Sequence, residues 1–156
     1  MFVLWLQFLL TFIALAAVSL TSAANGAGPA ALKPVQDILK PVAAPLAGFI
    51  GTIGIVAVIW GAYLVIGSVF ALLSGYFSFG FLLGMLGAIL LVVLGILAGY
   101  ISVAAFFGAP ASGAGKGVDA VKGSFGSIEA ILGLVGLVLA LWTLIEFILN
   151  RFGVYI

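Results

Sequence analysis

Hydrophobic positions in this chain fall into four long runs, residues 2–20, 46–73, 81–107 and 130–149, and almost all charge is confined to the stretches between them. Each run is close to or beyond the roughly 20 residues needed to cross a bilayer core. In hydrocarbon only a helix satisfies every backbone polar group within one segment. The pattern therefore predicts an all-α, polytopic integral membrane protein with three or four transmembrane helices. The link Ser74-Gly-Tyr-Phe-Ser-Phe-Gly80 is short and uncharged, which predicts a central antiparallel helical hairpin over residues 46–107. Residues 1–24 form an apolar leader or first transmembrane helix, 25–45 a Pro-rich connector, 108–127 a Gly-rich polar loop, and 128–156 the last transmembrane helix and tail.

The connector carries Pro29, Pro34, Pro41 and Pro45, which break it into pieces. Between them Leu32, Val35, Leu39 and Val42 follow helical spacing, with Lys33, Gln36, Asp37 and Lys40 interleaved. This reads as a short amphipathic segment lying on the membrane surface. The first run ends in Thr21-Ser-Ala-Ala24, small residues of the kind a signal peptidase accepts, yet no basic residue precedes it and the run exceeds a typical signal core. If it is retained, Lys33, Lys40, Lys116 and Lys122 share one side and Arg151 alone occupies the other. The positive-inside rule then places both long loops in the cytoplasm. If it is cleaved, the connector is exported and the asymmetry vanishes, so charge favours four retained spans.

Composition narrows the function. Of 156 residues 66% are hydrophobic and only 6% charged, against roughly 25% charged in a soluble domain; the mean hydropathy of +1.50 agrees. The absence of His and Cys removes disulfides, the commonest metal ligands and the commonest general base. A net charge of +1 supplies no field for a polyanion, so no direct nucleic-acid binding is expected.

Glycine is abundant, with 22 residues, and small residues recur every fourth position. Ala43, Ala47 and Gly51 form one ridge, Ala57 and Gly61 a second, and Gly67, Ala71 and Gly75 a third; on the next helix come Gly80, Gly84 and Ala88, then Gly95 and Gly99. Such ridges let helix backbones approach closely in lipid. Three or four helices cannot bury small faces on every side, so the expected partners are lipid together with other membrane subunits or copies of this chain.

Candidate chemistry is sparse. Ser112-Gly-Ala-Gly-Lys-Gly117 invites a phosphate-loop reading, but Pro110 stands where the first Gly is required and Gly117 where the magnesium hydroxyl is required. Glu146 lies inside the last apolar run; an ionisable group at membrane depth is a functional hypothesis by default, here an ion- or proton-carrying carboxylate. The competing reading has it reach the interface or pair with Arg151. Glu129 supplies favourable charge at a helix N-terminus. Trp60, Tyr63 and Tyr100 sit within spans, where their polar tips need partners among neighbouring carbonyls. Gln7, Thr11, Thr52, Ser68, Ser102 and Thr143 are isolated polar residues suited to bonds within or between helices. No nucleophile–base set, carboxylate pair or metal cluster can be assembled, so no enzymatic activity and no cofactor are expected.

One arrangement resembles a known family. A leader-like segment ending in Ser22-Ala-Ala-Asn-Gly-Ala is followed by a linker containing Val35-Gln-Asp-Ile-Leu39 and Pro45-Leu-Ala-Gly-Phe-Ile-Gly51, then two Gly-rich apolar helices with a tight turn. This is similar to the conjugative pilins of type IV secretion systems, over about residues 20–107. The resemblance implies a cleaved leader, a two-helix hairpin and a lipid-associated filament at the cell surface used for DNA transfer. The chain departs from that pattern in having no basic residue between Ser74 and Gly80 and in carrying a further apolar run at 130–149. Three expectations stand: a non-enzymatic structural subunit of a membrane assembly, a pilin-like subunit, and an ion-translocating subunit using Glu146.

Overall fold

The computed structural model describes residues 2–107 and 113–152, with the side chains of residues 2–4, 113, 114 and 151 outside that description. Every regular element among the described residues is a helix, with no strand among them. Seven α-helices follow in order: α1 (Phe2–Asn25), α2 (Lys33–Ala43), α3 (Ile50–Leu73), α4 (Phe79–Ala98), α5 (Tyr100–Phe107), α6 (Gly113–Phe125) and α7 (Glu129–Arg151). Four helical stretches are long and apolar enough to cross a membrane: Trp5–Asn25, Ile50–Leu73, Phe79–Ala98 and Gly115–Asn150, the last containing α7.

Helix ends follow local chemistry. α3 stops at Gly75, whose φ of +78° is the left-handed conformation glycine tolerates best. Gly75 N–H donates to the Leu72 carbonyl at 2.9 Å and Tyr76 N–H to the Ala71 carbonyl at 3.0 Å, the paired bonds of a Schellman cap. Three residues on, Ser78 in extended conformation accepts from Phe81 N–H at 3.1 Å and opens α4. One turn-making glycine and one N-cap serine thus account for the abrupt link between two long apolar helices.

α4 is the central helix: 44% of its apolar window is buried within the chain, against 17% for α3. The core joins Leu15 and Val18 of α1 to Leu91 and Leu94 of α4, all fully buried, with Ala57 of α3 and Leu139 and Ala140 of α7. α1 packs along α7, and α3 along α4. At one end, Trp5 and Phe147 meet edge to face with centroids 4.9 Å apart. At the other, Ala130 N–H donates to the Ala27 carbonyl at 3.0 Å, and Gln36 of α2 donates through Nε2 to the Gly26 carbonyl at 2.9 Å. Large apolar side chains point outward all round, among them Phe70, Leu73, Ile101 and Val138; in water this surface would be a severe aggregation liability.

Two stretches differ from their sequence readings. Residues 113–125, read as part of a polar loop, form α6, because Val118 and Val121 share one helical face and pack against Val58, Ile96 and Val103. The run 81–107, read as one helix, is divided at Gly99 into α4 and α5, although Val103 N–H still bonds the Gly99 carbonyl at 2.9 Å.

In the connector, α2 covers the segment expected to be amphipathic. Its stripe divides: Leu32, Leu39 and Ala43 turn toward the bundle, while Val35, Ile38 and Val42 are exposed on one flank. Lys33, Asp37 and Lys40 occupy the other flank, with Lys40 paired to Asp37 at 2.9 Å.

Candidate functional site

The small residues read as packing positions divide into two groups. Ala57, Gly61, Ala88, Gly95 and Gly99 meet at the α3–α4 seam, together with Gly54, which the spacing did not single out. A Cβ built on Gly54 would lie 2.7 Å from the Gly95 carbonyl oxygen and 2.9 Å from Gly99 Cα. One on Gly61 would lie 3.0 Å from the Ala88 carbonyl oxygen, and one on Gly95 would lie 3.0 Å from Ala57 Cβ. Gly51 joins the seam against Ser102. Gly80 is buried, whereas Ala47 is exposed and Ala71 half-buried. Gly67, Gly75 and Gly84 face open space.

A second seam, between α1 and α7, involves residues that spacing-of-four ridges on the central helices did not reveal. Gly133 lies against the Ala23 backbone and the Ser19 carbonyl, and Gly136 against the Ser19 side chain. The legible signs were Ser19 and Ala23 at spacing four and the glycine pair at spacing three. The Ser19 hydroxyl is fully buried there and has no hydrogen-bond partner among the described residues.

Polar chemistry gathers at the two ends of the bundle. At the end holding α2 and α6, Glu129 opens α7 as its first-turn acidic residue and is only 7% exposed. Ser22 Oγ donates to its Oε1 at 3.2 Å, and Lys122 Nζ approaches Oε2 at 3.5 Å. Lys122 also lies 5.8 Å from the centroid of the Tyr100 ring, whose hydroxyl donates to Asp119 Oδ1 at 2.7 Å. That bond and the adjacent negative charge raise the Tyr100 phenol above its ordinary 10.0, since ionisation would forfeit the donated proton and set two anions together. Tyr100 lies beyond the apolar span that ends at Ala98. Its tip, expected on a neighbouring carbonyl, is held by a carboxylate on α6. Trp60 likewise bonds a side chain, Thr11 Oγ1, at 3.0 Å, and Tyr63 stays exposed with its ring tilted over Trp60.

At the opposite end a cleft of about 430 Å³ opens between α1, α3, α4 and α7. Glu146 and Asn150 of α7 line it, with Gln7 of α1 and Tyr76 and Ser78 of the α3–α4 link. Deeper, Thr11, Ser68 and Thr143 each donate to a carbonyl four residues back on their own helix, so only acceptor lone pairs remain for the cleft. Gly80, Gly84 and Gly87 of α4 provide its width. Beside the cleft the chain is packed: Leu15 stands 3.7 Å from the Gly87 Cβ position, and Leu15, Leu91 and Leu94 are fully buried in one apolar core. Glu146 is half-buried and makes no ion pair or hydrogen bond with a described side chain. The Arg151 side chain, its expected partner, lies outside the described residues.

The Ser112–Gly117 stretch does not form a phosphate cradle within the described residues: Gly113 onward is helix α6, with Lys116 exposed, and Ser112 lies outside them. No group of three potential metal ligands occurs among the described residues. The chain matches no protein-family model, no curated protein and no solved structure.

Proposed function

We propose that this chain is a non-enzymatic, four-span subunit of a larger membrane-embedded assembly, held to its neighbours by helix packing through small residues. The observation that carries this reading is a groove of about 500 Å³ along α3, lined by Gly67 and Ala71 together with Tyr63, Ile66 and Phe70, and adjoining the Glu146 cleft through Gln7, Leu64, Ser68 and Phe81. A Cβ on Gly67 would meet nothing inside the chain. Small residues flanked by large apolar ones suit the close approach of another helix in lipid. Since the chain has no cysteine, Gly67→Cys provides a single reporter. In native membranes, oxidation of this variant is expected to give a disulfide-linked dimer, or a bifunctional maleimide an adduct with a neighbouring subunit, while Ile101→Cys on α5 does neither. Membranes in which Gly67→Cys stays monomeric under both treatments would sink the reading.

The same proposal makes α3 and α4 an antiparallel hairpin and α1 and α7 a second antiparallel pair. Supporting it, rising numbers on one helix meet falling numbers on the other: Gly54 with Gly99 and Gly61 with Ala88, and Gly133 with Ala23 and Gly136 with Ser19. Lys33 and Lys40 on α2 and Lys122 on α6 then share one end, which the positive-inside rule assigns to the cytoplasm. There α2 lies with its Val35–Ile38–Val42 flank toward acyl chains and its charged flank toward water.

This reading parts from the pilin resemblance at α1. Leu15, Val18, Ser19 and Ser22 of α1 are fully buried, so loss of the segment would expose the core and open the seam at Gly133. Intact mass of the protein from its own membrane is expected to include residues 1–24. A mass beginning near Ala24 or Asn25 would instead restore the three-helix, pilin-like reading. Ion translocation through Glu146 has the polar cleft in its favour, but the buried Leu15–Leu91–Leu94 core beside it argues against a through path in a single chain. That reading would require Glu146→Gln to abolish transport while leaving assembly intact.

A further inference from the structure

We propose that the cleft round Glu146 is a blind binding site for an organic ammonium group, entered from the membrane face opposite the α2–α6 end. The inference rests on the reading of the chain as membrane-spanning but not on its assembly with other subunits.

Charge selects the ligand's sign. Glu146 is the only ionisable carboxylate or amine among the described residues lining the cleft, and no described basic side chain faces it. A carboxylate without a partner near hydrocarbon is costly, and a bound cation relieves that cost. The amide oxygens of Gln7 and Asn150 and the acceptor lone pairs of Thr143 suit a donor with several N–H groups, and the Tyr76 and Phe81 rings at the wall supply faces that attract cations.

Size separates an organic cation from a bare ion. A dehydrated alkali ion needs a tight oxygen cage, whereas about 430 Å³ falls in the range of roughly 300–1,000 Å³ typical of small-molecule sites. The buried apolar core beside it makes the site a pocket rather than a conduit. An ammonium with a short apolar tail can lay that tail along Phe8, Leu64 and Met85. The chemistry is shared by a free alkylamine and by the aminoethyl headgroup of a phospholipid.

The test uses the full chain purified in an uncharged detergent, titrated with hexylammonium chloride and followed by calorimetry. Wild type is expected to bind saturably, with equimolar potassium chloride failing to displace the amine. Glu146→Gln is expected to lose roughly tenfold or more in affinity, the scale of one charge-assisted hydrogen bond. Gly84→Leu, whose Cβ enters open space and whose side chain fills the cleft, is expected to lose binding without altering the carboxylate. If Glu146→Gln does not fold, Gly84→Leu alone decides. Absence of saturable binding, displacement by potassium, or unchanged affinity in the folded variants would overturn the proposal. Native mass spectrometry then separates the two ligand sources. Phosphatidylethanolamine retained by wild type and lost from Gly84→Leu identifies a headgroup site, and binding of hexylammonium alone identifies a free-amine site. Because binding is read on the isolated chain, its failure leaves the crosslinking result at Gly67 untouched, and the reverse holds.

Discussion

Gly54→Ala is expected to destabilise the protein by about 1–3 kcal/mol, whereas Gly67→Ala is expected to be neutral or stabilising by up to about 1 kcal/mol. Both replace a glycine in the interior of α3, so intrinsic helix propensity favours alanine equally at the two positions. They differ only in what the new methyl group meets. At Gly54 it would lie 2.7 Å from the Gly95 carbonyl oxygen and 2.9 Å from Gly99 Cα. Both are backbone atoms, so no side-chain rotation makes room and α3 must move away from α4. Close packing along the seam, including Ala57 against Gly95, would loosen with it. At Gly67 nothing lies within 4 Å. Thermal unfolding in detergent, followed by tryptophan fluorescence, measures both variants under one condition. Equal stability would show that the α3–α4 seam tolerates separation and that these contacts are not what holds the two helices together.

Lys122→Met should cost about 1–3 kcal/mol, and Glu129→Gln less. Breaking a fully buried ion pair by removing one partner costs roughly 3–5 kcal/mol, because the other charge is stranded. Here the Lys122 side chain is 40% exposed while that of Glu129 is 10% exposed, so water replaces part of what lysine provides and the figure must be lowered. In Glu129→Gln the new amide would keep a side-chain oxygen for the Ser22 hydroxyl and would need no counter-charge. The Lys122→Met/Glu129→Gln double variant is therefore expected to recover much of the stability lost by Lys122→Met alone. A double-mutant cycle of unfolding midpoints reads this directly. Strict additivity would mean that the 3.5 Å approach carries no coupling and that Lys122 acts through its contact with Tyr100 instead.

How much of this was legible beforehand differs from residue to residue. A period of four on an apolar helix marks one face, and of the residues it picks out Ala57, Gly61, Ala88, Gly95 and Gly99 lie between α3 and α4. The same pattern did not distinguish Gly61, which contacts α4, from Gly67 and Gly84, which face open space. Those three differ only in where the neighbouring helix lies. The Gly133 and Gly136 contacts were missed because their partners, Ser19 and Ala23, stand more than a hundred positions away. Glu129 looked like an ordinary helix-start charge, since its burial depends on Ser22 and Lys122 converging from two other helices.

The amino-acid sequence by itself determined that the described chain is helical, with segments long and apolar enough to cross a membrane. Runs of about 20 apolar residues and so few charges leave the backbone only the helix as a way to satisfy its hydrogen bonds in lipid, and Gly75 and Ser78 set where two of those helices stop and start. Tertiary structure alone decided which small faces are covered and which stay open, and which polar residues share a site. The reason is physical: helical periodicity is a local property carried by each segment, whereas a seam, a buried ion pair or a cleft round Glu146 exists only once separate helices have chosen their neighbours.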